Sequence, residues 1–267
     1  MLVGGLVLIV VGVGLAVGLS RRPGPAPAAA PATTSPLAPD QRMAKALMLT
    51  QSDLPLGWRV DTVGDQAGSS PKLRSGEAEI TRTFASCMDI TDGQAGVVLG
   101  GQAGDQTAQA SSPVFVGPAS ASQPGFFTEL QTAATIVRTH RDEQSNFALF
   151  SRPRYLGCAA RAVASELQLG EDEASGTNGR PGPTSAAPVA LPAPTGEQVS
   201  ALLVTFSISD QANSVPVEVE LVALGSDRIE ADLEAFAIGG RIPTGVVSAS
   251  VARFEERVAV GGRIAQA

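Results

Sequence analysis

Val215-Pro-Val-Glu-Val-Glu-Leu-Val-Ala-Leu224 alternates apolar and acidic residues, and that alternation decides the fold class. Successive side chains of a strand point to opposite sides, so Val217, Val219 and Leu221 share one face and Glu218 and Glu220 the other. The segments on either side repeat the pattern. Residues 202–209 precede it across a polar turn at 210–214. Residues 228–237 follow across Gly225-Ser226-Asp227, with Ile229, Ala231, Leu233 and Ala235 set against Glu230, Asp232 and Glu234. Three such runs joined by short turns predict an antiparallel meander with one buried face. The five acids are expected together on its solvent face, as a solvated stripe rather than a metal or acid–base device.

Helical periodicity flanks the meander. Residues 243–258 place Val247, Val251, Phe254 and Val258 on one stripe, with Arg253 and Glu256 turned to solvent. Residues 39–49 suit a short helix through Met43, Ala46, Leu47 and Leu49, and Thr50-Gln51-Ser52-Asp53 has capping-box character before a further turn. Residues 77–84 alternate and predict a strand leading into Cys87, residues 130–137 predict a second, and residues 140–150 and 155–167 predict helices. The expected fold class is α+β, an antiparallel β-sheet flanked by helices across residues 41–267. Residues 93–109 are expected as a surface loop with a small docked patch. Residues 170–196, rich in Pro, Gly, Ser and acids, are expected as a disordered insertion.

The chain begins with an uncharged apolar run. Residues 2–19 would rise about 27 Å as a helix at ~1.5 Å per residue, close to the ~30 Å hydrocarbon core of a bilayer. Residues 1–20 therefore predict a transmembrane anchor or uncleaved signal, and residues 21–40 a Pro/Ala linker standing off the membrane in extended conformations. Arg21 and Arg22 conflict with the positive-inside rule, but long domains translocate largely regardless of nearby charge. The expected location is the cell membrane, single-pass, with the C-terminal domain extracytoplasmic.

Net charge is −7, the only lysines are Lys45 and Lys72, and the arginines are scattered, which excludes a nucleic-acid-binding face. The core must come from Val, Leu, Ile and Ala, since aromatics are 4% of the chain. In an exported chain the two cysteines, Cys87 and Cys158, most simply form one disulfide; the alternative is two unpaired buried thiols. Their spacing is not CxxC, which argues against redox catalysis. Gly-x-Ser-x-Gly, HExxH and P-loop patterns are absent, and the single histidine, His140, sits among Arg138, Arg141, Asp142 and Glu143. No metal, cofactor or catalytic residue is expected. Trp58, the only tryptophan, follows the Pro55 to Gly57 bend and is either a core lid or a ligand-stacking side chain.

Four stretches together carry a resemblance: Leu47-Met-Leu-Thr-Gln-Ser-Asp-Leu-Pro-Leu-Gly-Trp58, Thr83-Phe-Ala-Ser-Cys87, Ser111-Ser-Pro-Val-Phe115 and Ser151-Arg-Pro-Arg-Tyr-Leu-Gly-Cys158. Behind an export segment and an Ala/Pro linker, they resemble a group of uncharacterised actinobacterial exported proteins. That group is similar to the extracellular sensor domain of a mycobacterial Ser/Thr protein kinase and to lipoproteins of PsbP-like fold. The resemblance implies an antiparallel sheet flanked by helices, pairing of Cys87 with Cys158, and a groove as ligand site. The chain departs from it in having no kinase domain and no lipobox. The expected function is a membrane-anchored extracytoplasmic binding or sensor-like module, without catalysis, taking an envelope lipid, glycan or protein through a groove near Trp58, Phe115 and Tyr155. The alternatives are an envelope assembly protein acting by docking, and a hydrolase using carboxylates or His140.

Overall fold

A computed structural model of the chain describes residues 39–61, 71–99, 106–118, 126–174, 180–182, 184–191, 197–210 and 213–265. The expected membrane segment and most of the linker lie outside these residues. No helix among the described residues is long and apolar enough to cross a membrane.

The strands are β1 (Arg59–Val60), β2 (Gln106–Ser111), β3 (Phe115–Val116), β4 (Phe127–Val137), β5 (Arg180–Pro181), β6 (Ser185–Pro188), β7 (Gln198–Asp210), β8 (Asn213–Ser226) and β9 (Ile229–Ile238). The helices are α1 (Pro39–Leu47), α2 (Pro71–Met88), α3 (Asp92–Val98), α4 (His140–Phe147), α5 (Tyr155–Ala174) and α6 (Thr244–Ala265). The strands form one sheet in the order β1-β3-β4-β9-β8-β7-β5, and every pairing among the described residues is antiparallel. Two short strands extend its borders, β2 against β4 and β6 against β7. The predicted meander is β7-β8-β9. Its last turn is Asp227-Arg228, where Asp227 adopts φ 54°, a left-handed conformation that Asp tolerates better than most residues.

Helices cover both faces of the sheet. On one face α1 and α6 bury Leu47, Val247, Val251 and Phe254 against Leu130, Ile136, Val222 and Leu233. On the other, α2, α3 and α5 bury Phe84, Ala159 and Val163 against Leu202, Val204, Val217, Val219 and Phe236. Burial at roughly 1.5–3 kcal/mol for each large side chain makes both layers essential to stability. The α6 stripe is the one its spacing predicts, with Arg253 and Glu256 paired at 2.8 Å on the exposed side.

This two-sided cover corrects the reading of the acids. Glu218 pairs with Ala237 and Glu220 with Ala235, on the α1/α6 face, whereas Asp232 pairs with Ala223 and Glu234 with Leu221, on the α2/α5 face. The five acids are therefore not one stripe, and each is only partly exposed. Glu218 accepts a hydrogen bond from the Ile242 amide at 3.0 Å, and Glu230 accepts one from Asn146 Nδ2 at 2.8 Å.

Other expectations change as well. Residues 77–84 are helical, inside α2, because Ile80, Phe84 and Met88 recur every fourth residue and pack together on the α5 side. That helix ends in a Schellman-type turn: Asp89 takes φ 56° and the Ile90 amide donates to the Ala85 carbonyl at 3.1 Å. The segment 93–109 holds α3, capped by Thr91 with Gln94, and β2. Within 170–196, α5 runs on to Ala174, and β5 and β6 pair with β7. The pairing carries these polar residues because an edge strand needs backbone partners more than apolar side chains. At the start of the domain, Asp53 accepts hydrogen bonds from the Thr50 amide at 2.6 Å and the Thr50 hydroxyl at 2.7 Å, the capping box that its spacing predicts.

Candidate functional site

A cleft lies between the sheet and the α2/α3/α5 layer, and the register explains it. Across β4, β9 and β8 one row reads Gln131, Glu234, Leu221 and the next reads Ala133, Asp232, Ala223. Two alanines thus flank Asp232 where bulkier residues would reach the helices. The cleft opens above that row, with a cavity volume of about 70 Å³. It is open on one side, so it holds a small group while the rest of a ligand lies outside.

Its walls are mainly apolar. Phe84 comes from α2, Tyr155, Ala159 and Val163 come from one side of α5 at four-residue spacing, and Phe150 closes the end. Phe150 and Tyr155 meet edge to face, with centroids 5.1 Å apart and planes at 84°. Gln131, Asp232 and Glu234 supply the polar floor, and no Lys or Arg among the described residues lines the cleft. Burial pushes the Asp232 carboxyl up to about 7. Burial, with the nearby Asp232 charge, pushes the Tyr155 phenol upward too. Glu166, three residues beyond Val163 on α5, is held well above the usual carboxylate range by burial and then by Glu234 and Glu77. The site is rich in carboxyls, and burial favours the neutral form of Asp232 and Glu166.

Cys87 near the end of α2 and Cys158 near the start of α5 form a disulfide, with Cα atoms 5.8 Å apart. It joins helix to helix, not loop to helix, since the segment before Cys87 is α2. Both walls of the cleft are thereby tied together.

The three groove residues named from the sequence are not brought together. Tyr155 lines the cleft. Trp58 and Phe115 belong to the core on the opposite face, Trp58 at 6% exposure and Phe115 at 0%. A Cβ on Gly117 would lie 3.2 Å from the indole, so Gly117 admits the ring close against the backbone. Trp58 is a core lid, turned inward by Gly57 at φ 99°. Phe84, Phe150, Gln131, Asp232 and Glu234 went unrecognised as site residues, because each belongs to an unremarkable local pattern and they meet only through the register.

His140 is not among the cleft residues. Its Nδ1 lies 2.9 Å from the Asp227 carbonyl and 3.2 Å from Glu143 Oε2, and its Nε2 lies 2.8 Å from Gln144. Glu143 is fully buried, accepts from Gln198 at 3.1 Å, and is pushed upward by burial against the opposing effect of His140. This network plugs the β8–β9 end of the sheet. A Cβ on Gly225 would collide with Glu143 Oε1 and stand 2.9 Å from Phe147 Cδ2, so Gly225→Ala is expected to cost about 1–3 kcal/mol by overpacking. Urea unfolding measures it; an unchanged midpoint would mean that Glu143 moves aside freely.

Among the described residues no group of three or more His, Cys, Asp or Glu is arranged to hold a metal ion. No family model matches the chain, and neither a curated protein nor a solved structure matches it.

Proposed function

We propose that this chain is a binding module whose ligand enters the cleft between the sheet and the α2/α3/α5 layer. The observation that carries the proposal is the cleft itself: apolar walls with polar groups converging on one floor are the usual composition of a small-molecule site. The apolar N-terminal run supports placing the module at a membrane, facing the cell envelope, and the resemblance to exported sensor domains supports a recognition role of the PsbP-like kind. No catalytic step is assigned. Protein docking is less supported, since Leu56 and Val260 are the only large apolar side chains among the described residues that stand exposed.

Native mass spectrometry of the full-length chain, purified from its own membrane, tests this reading. Ala133→Leu should fill the cleft. A bound small molecule in the wild type that is lost in Ala133→Leu, with the thermal midpoint moved by no more than a few degrees, is the expected result. Identical masses in the two proteins would count against the cleft as the binding site.

A further inference from the structure

We propose that the group taken into the cleft is a small organic ammonium ion. This rests on the cleft being a binding site and names the chemistry it selects. The aromatic rings of Phe84, Phe150 and Tyr155 wall a space whose floor carries Asp232 and Glu234, and no Lys or Arg among the described residues lines it. A quaternary or alkylated ammonium is attracted by ring quadrupoles and gives up its hydration cheaply, so aromatic walls suit it. A carboxylate beneath those walls supplies the countercharge, and two flanking alanines leave room for methyl groups over Asp232. The cleft is small and open on one side, so it takes the head of such a ligand while the remainder stays outside. A carboxylate or phosphate ligand instead finds Asp232 and Glu234 on the floor and no Lys or Arg among the lining residues described, so nothing there offsets its charge. A neutral apolar group fits the walls but leaves the Asp232 carboxyl facing it without a partner, which is costly in a desolvated space.

The same groups set the pH dependence. Asp232 is faced by Tyr155 of α5 and neighboured on β9 by Glu234, which with Glu77 of α2 bears on Glu166 of α5, and burial pushes the Asp232 carboxyl up to about 7. A permanent cation prefers the ionised form, so its affinity rises from pH 6 to pH 8. Tyr155, pushed upward by burial, keeps its proton throughout.

Calorimetric titration of the full-length chain with choline and with its neutral isostere 3,3-dimethylbutanol provides the test. The expected result is about tenfold tighter binding of choline at pH 8, a preference that shrinks at pH 6 and is lost in Asp232→Asn. Asn keeps the size and shape of the side chain, and circular dichroism confirms that the variant is folded. Dihexanoylphosphatidylcholine below its micelle-forming concentration separates two sources. Tighter binding than choline identifies a lipid headgroup, and weaker binding a free cation repelled through its phosphate; both keep the proposal. Equal binding of the neutral alcohol, or choline binding unchanged by Asp232→Asn, overturns the ammonium assignment and leaves the cleft a binding site. If neither probe binds, and wild type and Ala133→Leu also carry identical masses, both readings fall.

Discussion

Replacing Cys87 and Cys158 together by Ala is expected to lower stability by about 4 kcal/mol, the largest loss among the substitutions considered. The two cysteines lie 71 residues apart, and the chain-entropy account gives roughly this value for a closed loop of that length. The bond joins α2 to α5, so its loss also frees the two helices that wall the cleft. Urea unfolding of the double variant, followed by far-UV circular dichroism, measures the change. A loss under about 1 kcal/mol would show that packing of Phe84, Ala159 and Val163 already holds the helices, with the disulfide adding little. Binding provides a second reading: choline affinity should fall in the variant even at low temperature, where the fold persists, because wall spacing is then set by packing alone.

Glu129→Gln is expected to act in the opposite direction. Glu129 is 5% exposed, and burial, with the nearby Asp61 charge, pushes its carboxyl from 4.5 up to about 8. The folded chain therefore holds this proton more tightly than the unfolded chain. Stability from this group is whole below pH 4.5 and is lost progressively as pH rises from 4.5 to about 8, beyond which the loss is constant. Gln keeps the shape and carries no charge. Relative to wild type it should change little at pH 4 and stabilise by about 5 kcal/mol at pH 9. Thermal midpoints should then separate by roughly 10 °C or more at pH 9 and converge at pH 4. A separation independent of pH would assign the effect to packing, and none at pH 9 would mean that Glu129 ionises without cost.

Much of the secondary structure was legible because it rests on local periodicity. The β7-β8-β9 meander shows itself in strict alternation, and α6 in Val247, Val251, Phe254 and Val258, whose burial follows from their spacing. The capping boxes at Thr50 and Thr139 are equally local: each threonine meets an aspartate three residues on, at 2.7 Å between side chains. Where alternation and helical spacing coexist, the local signal is ambiguous. Ala78 and Ile80 suggest a strand, and only packing of Phe84 and Met88 against α5 selects the helix. The borders β5 and β6 were hidden for a related reason. Their residues carry no apolar pattern, and β7 determines their conformation by pairing, as between Ser185 and Thr205.

The cleft shows the same limit. Asp232 reads as one member of an outward acidic stripe as long as the sheet is assumed to bury one face. Once helices cover both faces, every residue that alternation sends away from one core enters the other layer, and Asp232 arrives under α5 beside Tyr155. Trp58 moves the other way: its isolated place after a tight bend admits a ligand-stacking role, yet it closes the core above Gly117. The sequence by itself determined the apolar N-terminal run, the meander, the α6 stripe and the caps, since periods of two and 3.6 residues and short-range hydrogen bonds act within a few positions. Tertiary structure alone decided which face each acid occupies, how the cysteines join two helices, and where a cavity remains. Those depend on strand register and on residues such as Ala133 and Ala223, which lie 90 positions apart and meet only across Asp232.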